Sequence, residues 1–394
     1  MQDPIVIVGA ARTPIGAFLG KMKDVAAPAL GAWAIEAAVA QSNASIEDID
    51  ECVMGCVLSA GLGQAPARQA ALGGGLSDAT GCVTVNKMCG SGMKAVMDAH
   101  DRLCAGAPGA IVAGGMESMS NAPYLLERAR AGYRLGHGRV IDHMFLDGLE
   151  DAYERGRLMG SFAEDCAQSY QFTRDMQDDY ARRSLARARS ATESGGFERE
   201  IVPIRVASRK GEELIAADEL PLKADPDAIA AMRPAFRSDG TLTAANSSAI
   251  SDGAAVLVLT TMKRAEQMAA TPLARIVGHA THAGPPAKFP TAPVDALRKL
   301  MHRIGWELDD VDLFEINEAF AVVAMAAMRD LALPQDKVNI NGGACALGHP
   351  IGASGARIIV TLLAALEKRD LRRGAAALCI GGGEATAIAI ERMR

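Results

Sequence analysis

The second half of this chain repeats the first at low identity, and no other feature constrains the possible folds as strongly. Three segments recur in the same order, and the matching pairs are 46–50 with 308–312, 83–86 with 338–341, and 111–115 with 378–382. Self-similarity of this kind indicates that one supersecondary unit has been used twice. We therefore expect two halves with the same fold, related by an approximate two-fold axis.

A long insertion interrupts the first half. In the second half the strand-like segment 385–390 follows the repeated Gly-Gly turn at once. In the first half the equivalent segment, 254–259, comes about 140 residues after that turn. The intervening stretch differs in composition, with charged helical sequence and loops rich in Pro and Asp. We predict a first half of residues 1–119 plus 251–270, an inserted loop domain of residues 120–250, and a second half of residues 271–394.

The fold class follows from the alternation of segments. Strand-like apolar runs alternate with helical patterns in both halves, which predicts parallel sheets with crossover helices. The helix expected over 355–366 is apolar nearly all round, and such a helix is buried on every side. Paired with its counterpart over 92–104, it would lie between two sheets. The sequence therefore predicts an α/β protein built as an α-β-α-β-α sandwich.

Charge and cysteine content exclude several classes of protein. A net charge of −6 with a pI near 5.7 disfavours nucleic-acid binding as the main activity. No apolar run reaches the roughly 18 residues of a membrane helix, and no signal peptide is evident, so we predict a cytoplasmic protein without membrane attachment. The eight cysteines are too sparse for a disulfide framework, and Cys52-x-x-x-Cys56 lacks the partners of a zinc site.

Cys89 lies in the glycine-rich turn Cys89-Gly-Ser-Gly, just before the first of the two central helices. Unpaired N–H groups and the positive dipole at a helix start favour a thiolate, so we expect its pKa to fall below about 8.5. The glycines let a substrate reach the sulphur. Cys89 is therefore the candidate nucleophile, while a packing role is expected for Cys52, Cys82, Cys104, Cys166 and Cys345.

Three further residues are candidates for chemistry. His349 lies in the extra residues of the turn equivalent to that of Cys89, so the pseudo-two-fold would bring its imidazole towards Cys89 as a base. Cys379 ends a strand, where a thiol could exchange a proton with a carbon acid, although a core cysteine is an equal interpretation. Asn317 ends the matching strand and either serves the site or caps a helix over 319–328. For the six other histidines, His100 and His279 among them, we expect surface or packing roles.

Four motifs in this order resemble the thiolase family over the whole chain: Cys89-Gly-Ser-Gly, Asn317-Glu-Ala-Phe320, Gly348-His-Pro350 and Cys379-Ile-Gly381. The resemblance is to its bacterial acetyl-CoA acetyltransferase branch. It implies the thiolase fold, with duplicated βαβαβαββ halves and an inserted loop domain. It also implies an acyltransferase that reversibly condenses two acetyl-CoA molecules to acetoacetyl-CoA and CoA by a ping-pong route.

The resemblance assigns roles to the candidate residues. His349 activates Cys89, which takes an acetyl group from acetyl-CoA, and Cys379 then removes a proton from a second acetyl-CoA. One oxyanion hole is implied to be His349 with a water held by Asn317, and the other the backbone N–H groups of Cys89 and Gly381.

The resemblance also implies how CoA is bound. The loop domain covers the substrate, and the matching positions are Leu149, Met159, Phe236, Ala244, Ser248 and Phe320. CoA thioesters are substrates, so neither a cofactor nor a metal is expected. The family suggests a homotetramer formed as a dimer of dimers.

Three positions depart from many short-chain members of the family: Leu158, Thr291 and Glu384. They leave acyl-chain preference open, so the alternative is a 3-ketoacyl-CoA thiolase of broader or longer range, as in fatty-acid degradation. The direction of the reaction is also open.

Other classes fit less well. A decarboxylating β-ketoacyl synthase would have a histidine in place of Cys379. A nucleotide-binding oxidoreductase is disfavoured because the first turn, 9–16, lacks the Gly-x-Gly-x-x-Gly spacing. A catalytically silent scaffold is disfavoured because Cys89, His349, Asn317 and Cys379 are all present.

Overall fold

The computed structural model describes residues 3–208 and 211–393. The ends of the predicted halves, residues 1 and 394, lie outside this range. The strands in chain order are β1 Ile5–Arg12, β2 Gly16–Ala17, β3 Ile49–Gly55, β4 Gly81–Val85, β5 Ala110–Ser118, β6 Tyr124–Leu125, β7 Ile141–Asp142, β8 Ile204–Ser208, β9 Gly211–Ile215, β10 Ser251–Thr261, β11 Ala274–Ala283, β12 Leu313–Ile316, β13 Arg373–Ile380 and β14 Glu384–Arg392.

The helices, again in chain order, are α1 Ala27–Ser42, α2 Pro66–Gly73, α3 Ser91–Cys104, α4 Met159–Tyr170, α5 Arg174–Glu193, α6 Glu219–Lys223, α7 Met262–Gln267, α8 Ala292–Ile304, α9 Ala321–Asp330, α10 Ala344–Leu347 and α11 Ile351–Lys368. None of the helices in the described part of the chain is long and apolar enough to cross a membrane.

The two halves have the same sheet topology. In the first half the strand order is β4-β3-β5-β10-β1, and in the second it is β12-β13-β14-β11. In each half a parallel pair, β3 with β5 or β12 with β13, is followed by an antiparallel partner, β10 or β14. The position equivalent to β4 is reduced to a single bridge between Val338 and Phe314. The predicted duplication of the fold is confirmed, but the expectation of parallel sheets is wrong, because β10 and β14 run antiparallel to both of their neighbours.

A break in strand register also occurs at the same place in both halves. The pairing of β1 with β10 shifts register between Ile7 and Gly9, and that of β11 with β14 shifts between Ile276 and Gly278. A short antiparallel contact between β1 and β11 joins the two sheets edge to edge. A bulge bends a strand and increases its twist, so the shared position gives both halves the same curvature.

Five layers are stacked as the sequence predicts. Helices α3 and α11 pack against each other between the sheets, and α11 is buried at every residue from Ile351 to Leu366. Helices α1 and α2 cover the outer face of the first sheet, and α8 and α9 cover that of the second. The two central helices can approach closely because Gly92 has no side chain. A Cβ at this position would lie only 2.9 Å from the carbonyl oxygen of Gly352.

Residues between β5 and β10 form their own helices and ribbons. Helix α4 packs against α9, and α5 packs against α9 and α10, so this segment lies beside the strand ends of the second half. It is tied to β1 by Arg12, whose guanidinium contacts Glu200 and Asp218 at 2.7 Å, all three groups being buried. The division into separate folding units remains a prediction.

Candidate active site

Cys89 lies in a tight turn between β4 and α3. Met88 before it adopts a left-handed conformation with φ of 49°, which costs about 1–2 kcal/mol for a residue with a side chain. Ser91 holds the turn, since its hydroxyl accepts from the Lys87 N–H at 2.8 Å and donates to the Met88 carbonyl at 2.6 Å. The turn therefore fixes Cys89 at the start of the central helix, as predicted.

The electrostatic expectation for Cys89 is wrong. Burial raises the pKa of its thiol from 9.0 to about 11, although the backbone N–H groups of Gly381 and of Cys89 itself act to lower it. The dipole at a helix start contributes only about 0.3–1 kcal/mol and does not outweigh the loss of solvation. The resting thiol is therefore neutral and needs a base to remove its proton.

His349 is held in the form that such a base requires. The Ser354 hydroxyl donates to the Pro350 carbonyl at 3.0 Å, so its oxygen is left to accept from His349 Nδ1 at 2.5 Å. This assigns the ring proton to Nδ1 and leaves a lone pair on Nε2. Nε2 is buried and has no hydrogen-bond partner among the described residues.

The pKa of His349 is lowered to about 3, first by burial and then by the positive charge of Arg357. The imidazole is therefore neutral across the physiological range. A neutral thiol and a neutral imidazole can exchange a proton during the reaction without a resting ion pair in a poorly solvated site.

Cys379 is the next-to-last residue of β13 and is fully buried. Burial, followed by the charge that Cys89 would carry as a thiolate, raises its pKa well above the ordinary value. Gly381 follows in the turn to β14 and directs its N–H towards the Cys89 sulphur. Strand β13 and the turn after it thus present a second thiol and a hydrogen-bond donor beside the first thiol.

The side chain of Asn317 is buried, and neither its amide nitrogen nor its oxygen has a partner among the described residues. The alternative that it caps a helix is wrong, because α9 begins at Ala321 and its N-cap position, Phe320, has no side-chain cap. Unpaired buried amide groups carry a cost of about 1–3 kcal/mol each. Asn317 is thus available to bind a small polar group such as water.

Glu318 fixes the loop that carries Asn317. Its carboxylate accepts from the Tyr180 and Ser184 hydroxyls of α5 at 2.8 and 2.7 Å, and from the Asn339 amide at 2.8 Å. It also accepts from the Cys345 N–H at 3.1 Å. One buried carboxylate therefore joins the inserted helix α5 to the loop before the short helix α10 and to α10 itself.

A cavity of about 360 Å³ connects these groups, a size typical of small-molecule sites. Of the residues predicted from the sequence to act in catalysis or CoA binding, all but Asn317 line it. Those residues are Cys89, His349, Cys379, Gly381, Leu149, Met159, Phe236, Ala244, Ser248 and Phe320. Asn317 lies two residues before Ala319, which does line the wall. Their roles in binding and catalysis remain predictions.

The three residues that depart from the pattern of many short-chain thiolases, Leu158, Thr291 and Glu384, lie at different places relative to the cavity. Leu158 lines the cavity, together with Phe289, which lies two residues before Thr291. Thr291 is not among the lining residues, and its hydroxyl donates to the Lys288 carbonyl at 3.1 Å. Glu384 forms an ion pair with Lys87, which bridges the turn of Cys89 and the turn of Gly381.

Sequence reasoning missed two hydroxyls. Ser354, the partner of His349, is the repeat equivalent of Ser91, which organises the Cys89 turn, so the internal repeat contained a signal for it. Ser247 lines the cavity with a buried hydroxyl that has no partner among the described residues. It stands beside Ser248 in sequence, and no pattern distinguishes the two.

Comparisons with known proteins cover the whole chain. Residues 5–263 match the family model described as thiolase, N-terminal domain, and residues 270–392 match thiolase, C-terminal domain. The acetyl-CoA acetyltransferase of Escherichia coli (strain K12) is 50% identical, covering 98% of this chain and 99% of the relative. Acetyl-CoA acetyltransferase 2 of Arabidopsis thaliana is 48% identical, with 98% and 96% covered. The crystal structure of Bacillus anthracis acetyl-CoA acetyltransferase superposes with a TM-score of 0.97 at 40% identity, covering 100% and 99% of the two chains.

Proposed function

The chain belongs to the thiolase family, and from that premise we propose that it is an acetyl-CoA acetyltransferase. It joins two acetyl-CoA molecules to acetoacetyl-CoA and CoA, and it runs the reverse thiolysis with the same groups. The observation that carries the proposal is that Cys89, His349, Cys379 and Gly381 line one otherwise largely apolar cavity. Relatives of that name at 48–50% identity over nearly the full length support it.

In the first half-reaction Cys89 attacks the thioester carbon of acetyl-CoA. Its proton passes to Nε2 of His349, the C–S bond to CoA breaks, and His349 returns the proton to the departing CoA sulphur. The N–H groups of Cys89 and Gly381 offer hydrogen bonds to the oxyanion that forms. The product is acetyl-Cys89, with His349 neutral again.

In the second half-reaction Cys379, as a thiolate, removes a proton from the methyl carbon of a second acetyl-CoA. The carbanion attacks acetyl-Cys89, the C–S bond breaks, and acetoacetyl-CoA forms. Once Cys89 is acetylated it can no longer become a thiolate, so Cys379 can ionise without a second negative charge beside it. The proton that Cys379 lost on ionising ends on the Cys89 sulphur, which restores both thiols.

The enolate oxygen of the second acetyl-CoA needs its own hydrogen-bond donor. We assign this role to a water beside His349, which the unpartnered side-chain amide of Asn317 could hold. The apolar wall formed by Leu149, Met159 and Phe236, with the hydroxyl of Ser248, suits the stem and amides of a pantetheine chain.

We also propose that the chain forms a homotetramer, assembled as a dimer of dimers, in the cytoplasm. Exposed apolar side chains on the inserted segment, among them Leu135 at 98% exposure and Tyr124 at 67%, support burial in a tetramer. No disulfide joins the cysteines of the described residues, which fits a reducing cytoplasm.

A substrate series tests the function and its alternative together. We expect CoA-dependent thiolysis of acetoacetyl-CoA, and a decline in kcat/KM as the 3-ketoacyl chain lengthens. Failure to cleave any 3-ketoacyl-CoA would refute the proposed reaction. Higher kcat/KM on longer chains would favour the 3-ketoacyl-CoA thiolase alternative. A Leu158→His variant shows whether this position sets the preference.

A further inference from the structure

Three side chains outside the catalytic cavity converge where the two halves meet. His279 on β11 places Nε2 2.8 Å from Oδ1 of Asp101 on α3, and His100 places Nδ1 3.1 Å from the same oxygen. The ligand-type atoms of all three residues lie within 4.8 Å of one another. None of the three lines the catalytic cavity.

The cluster is well separated from the reacting groups along α3. His100 lies nine residues beyond Ser91, the first residue of that helix, which places it about 14 Å along the axis at 1.5 Å per residue. The cluster therefore has no part in the proposed reaction, and its role must be sought separately.

We propose that His100, Asp101 and His279 bind a divalent transition metal of the zinc class, which fastens α3 of the first half to β11 of the second. Imidazole nitrogen and carboxylate oxygen are the donors that Zn²⁺ prefers. At bond lengths of about 2.0–2.1 Å, tetrahedral ligand atoms stand about 3.4 Å apart. The contacts of Asp101 with His279 and His100, at 2.8 and 3.1 Å, would need to open by about 0.6 and 0.3 Å to reach that separation.

The surroundings suit such a site. The Asp101 side chain is 57% exposed, so a metal can enter from solvent and retain water at its remaining positions, while the His279 side chain is largely buried. Arg303 donates to the main-chain oxygen of His279 at 2.7 Å and so fixes the strand without occupying a ligand atom. The two imidazole rings meet edge to face, with centroids 5.1 Å apart. Cys104 stands 3.7 Å from Nε2 of His100, near the cluster but outside the proposed ligand set.

The experiment uses the full-length, metal-free protein in a Cys89→Ala background, which removes the catalytic thiol as a competing metal ligand. Equilibrium dialysis against micromolar Zn²⁺ measures stoichiometry, and the melting temperature is recorded with and without the metal. We expect one ion per chain and a rise in melting temperature of several degrees, since a ligand that binds only the folded state stabilises it.

Variants separate a metal site from a hydrogen-bonded contact. Asp101→Asn keeps an acceptor for both imidazoles but removes the anionic ligand, so we expect at least a tenfold loss of affinity with little change in the metal-free melting temperature. His279→Gln should abolish the binding. The matched control His302→Gln, an exposed histidine on α8, should bind as the parent does. Equal binding by the parent and Asp101→Asn, or no stoichiometric binding by the parent, would overturn the proposal.

Discussion

At Cys89 and His349, single hydrogen bonds and the loss of solvation decide what each side chain can do. The rise in the pKa of Cys89 from 9.0 to about 11 corresponds to about 3 kcal/mol, larger than the effect of a helix dipole. His349 compensates because Ser354 fixes its protonated nitrogen and leaves Nε2 unpaired. The site therefore depends on a positioned base more than on an activated thiolate.

Removing the Ser354 hydroxyl tests the assignment of the His349 tautomer. In Ser354→Ala the Nδ1 proton loses its acceptor, so we expect the burst of CoA release to slow about tenfold, the value of one hydrogen bond of about 1.4 kcal/mol. Stopped-flow detection of free CoA measures it. Ser169→Ala, which removes a surface hydroxyl on α4, should be unchanged, and an unimpaired burst in Ser354→Ala would argue against the tautomer.

The pH dependence of acetylation follows from the lowered pKa of His349. A lowered pKa means that the neutral base prevails above about pH 3, so protonation of this imidazole should not reduce the burst of CoA release between pH 5 and 8. Rapid-quench measurements over that range check it, with circular dichroism to confirm that the fold persists. An acid limb with its midpoint near the ordinary value of about 6.5 would contradict this.

At the scale of elements, buried carboxylates connect loops from different parts of the chain. Glu117, at the end of β5, accepts from the N–H groups of Val57, Leu58 and Gly352 at 3.0, 3.1 and 2.9 Å. Gly352 is the second residue of α11, the helix that follows His349. Glu117 thus fixes the start of α11 against the first half.

Removal of this carboxylate should destabilise the protein strongly. Glu117→Ala leaves three buried donors without an acceptor, so we expect a loss of about 3 kcal/mol or more in the free energy of unfolding. Urea titration followed by fluorescence measures it, with Glu36→Ala on the exposed side of α1 as the control. A loss no larger than that of the control would show that water or a rearranged loop replaces Glu117.

The ion pair between Lys87 and Glu384 should matter much less. Both side chains are partly exposed, and exposed pairs contribute about 0.2–1 kcal/mol. We expect Glu384→Gln to lower kcat/KM by no more than about fivefold, with a smaller difference at high salt. Steady-state thiolysis at two ionic strengths checks this. A loss of a hundredfold would mean that the pair directly sets the distance between the Cys89 and Gly381 turns.

At the scale of the whole molecule, the repeat allowed the fold to be predicted because each half must bury the same apolar faces. The five layers and the central position of α11 followed from hydrophobic pattern alone. The environment of Cys89 did not, because burial of a thiol depends on side chains distant in sequence. The hydrogen bonds of Glu318 could not be predicted either, because its four partners come from two separate segments. Nor could the contact between His100 and His279, which lie far apart in the chain.

The central claim is that two thiols on one cavity divide the chemistry, with Cys89 carrying the acyl group. Peptide mass spectrometry after incubation of the Cys379→Ser variant with acetyl-CoA tests it most directly. We predict one acetyl group on Cys89 and loss of most condensation activity, while a Cys89→Ala variant takes up none. Acetyl label on another residue, or full condensation without label on Cys89, would contradict the account.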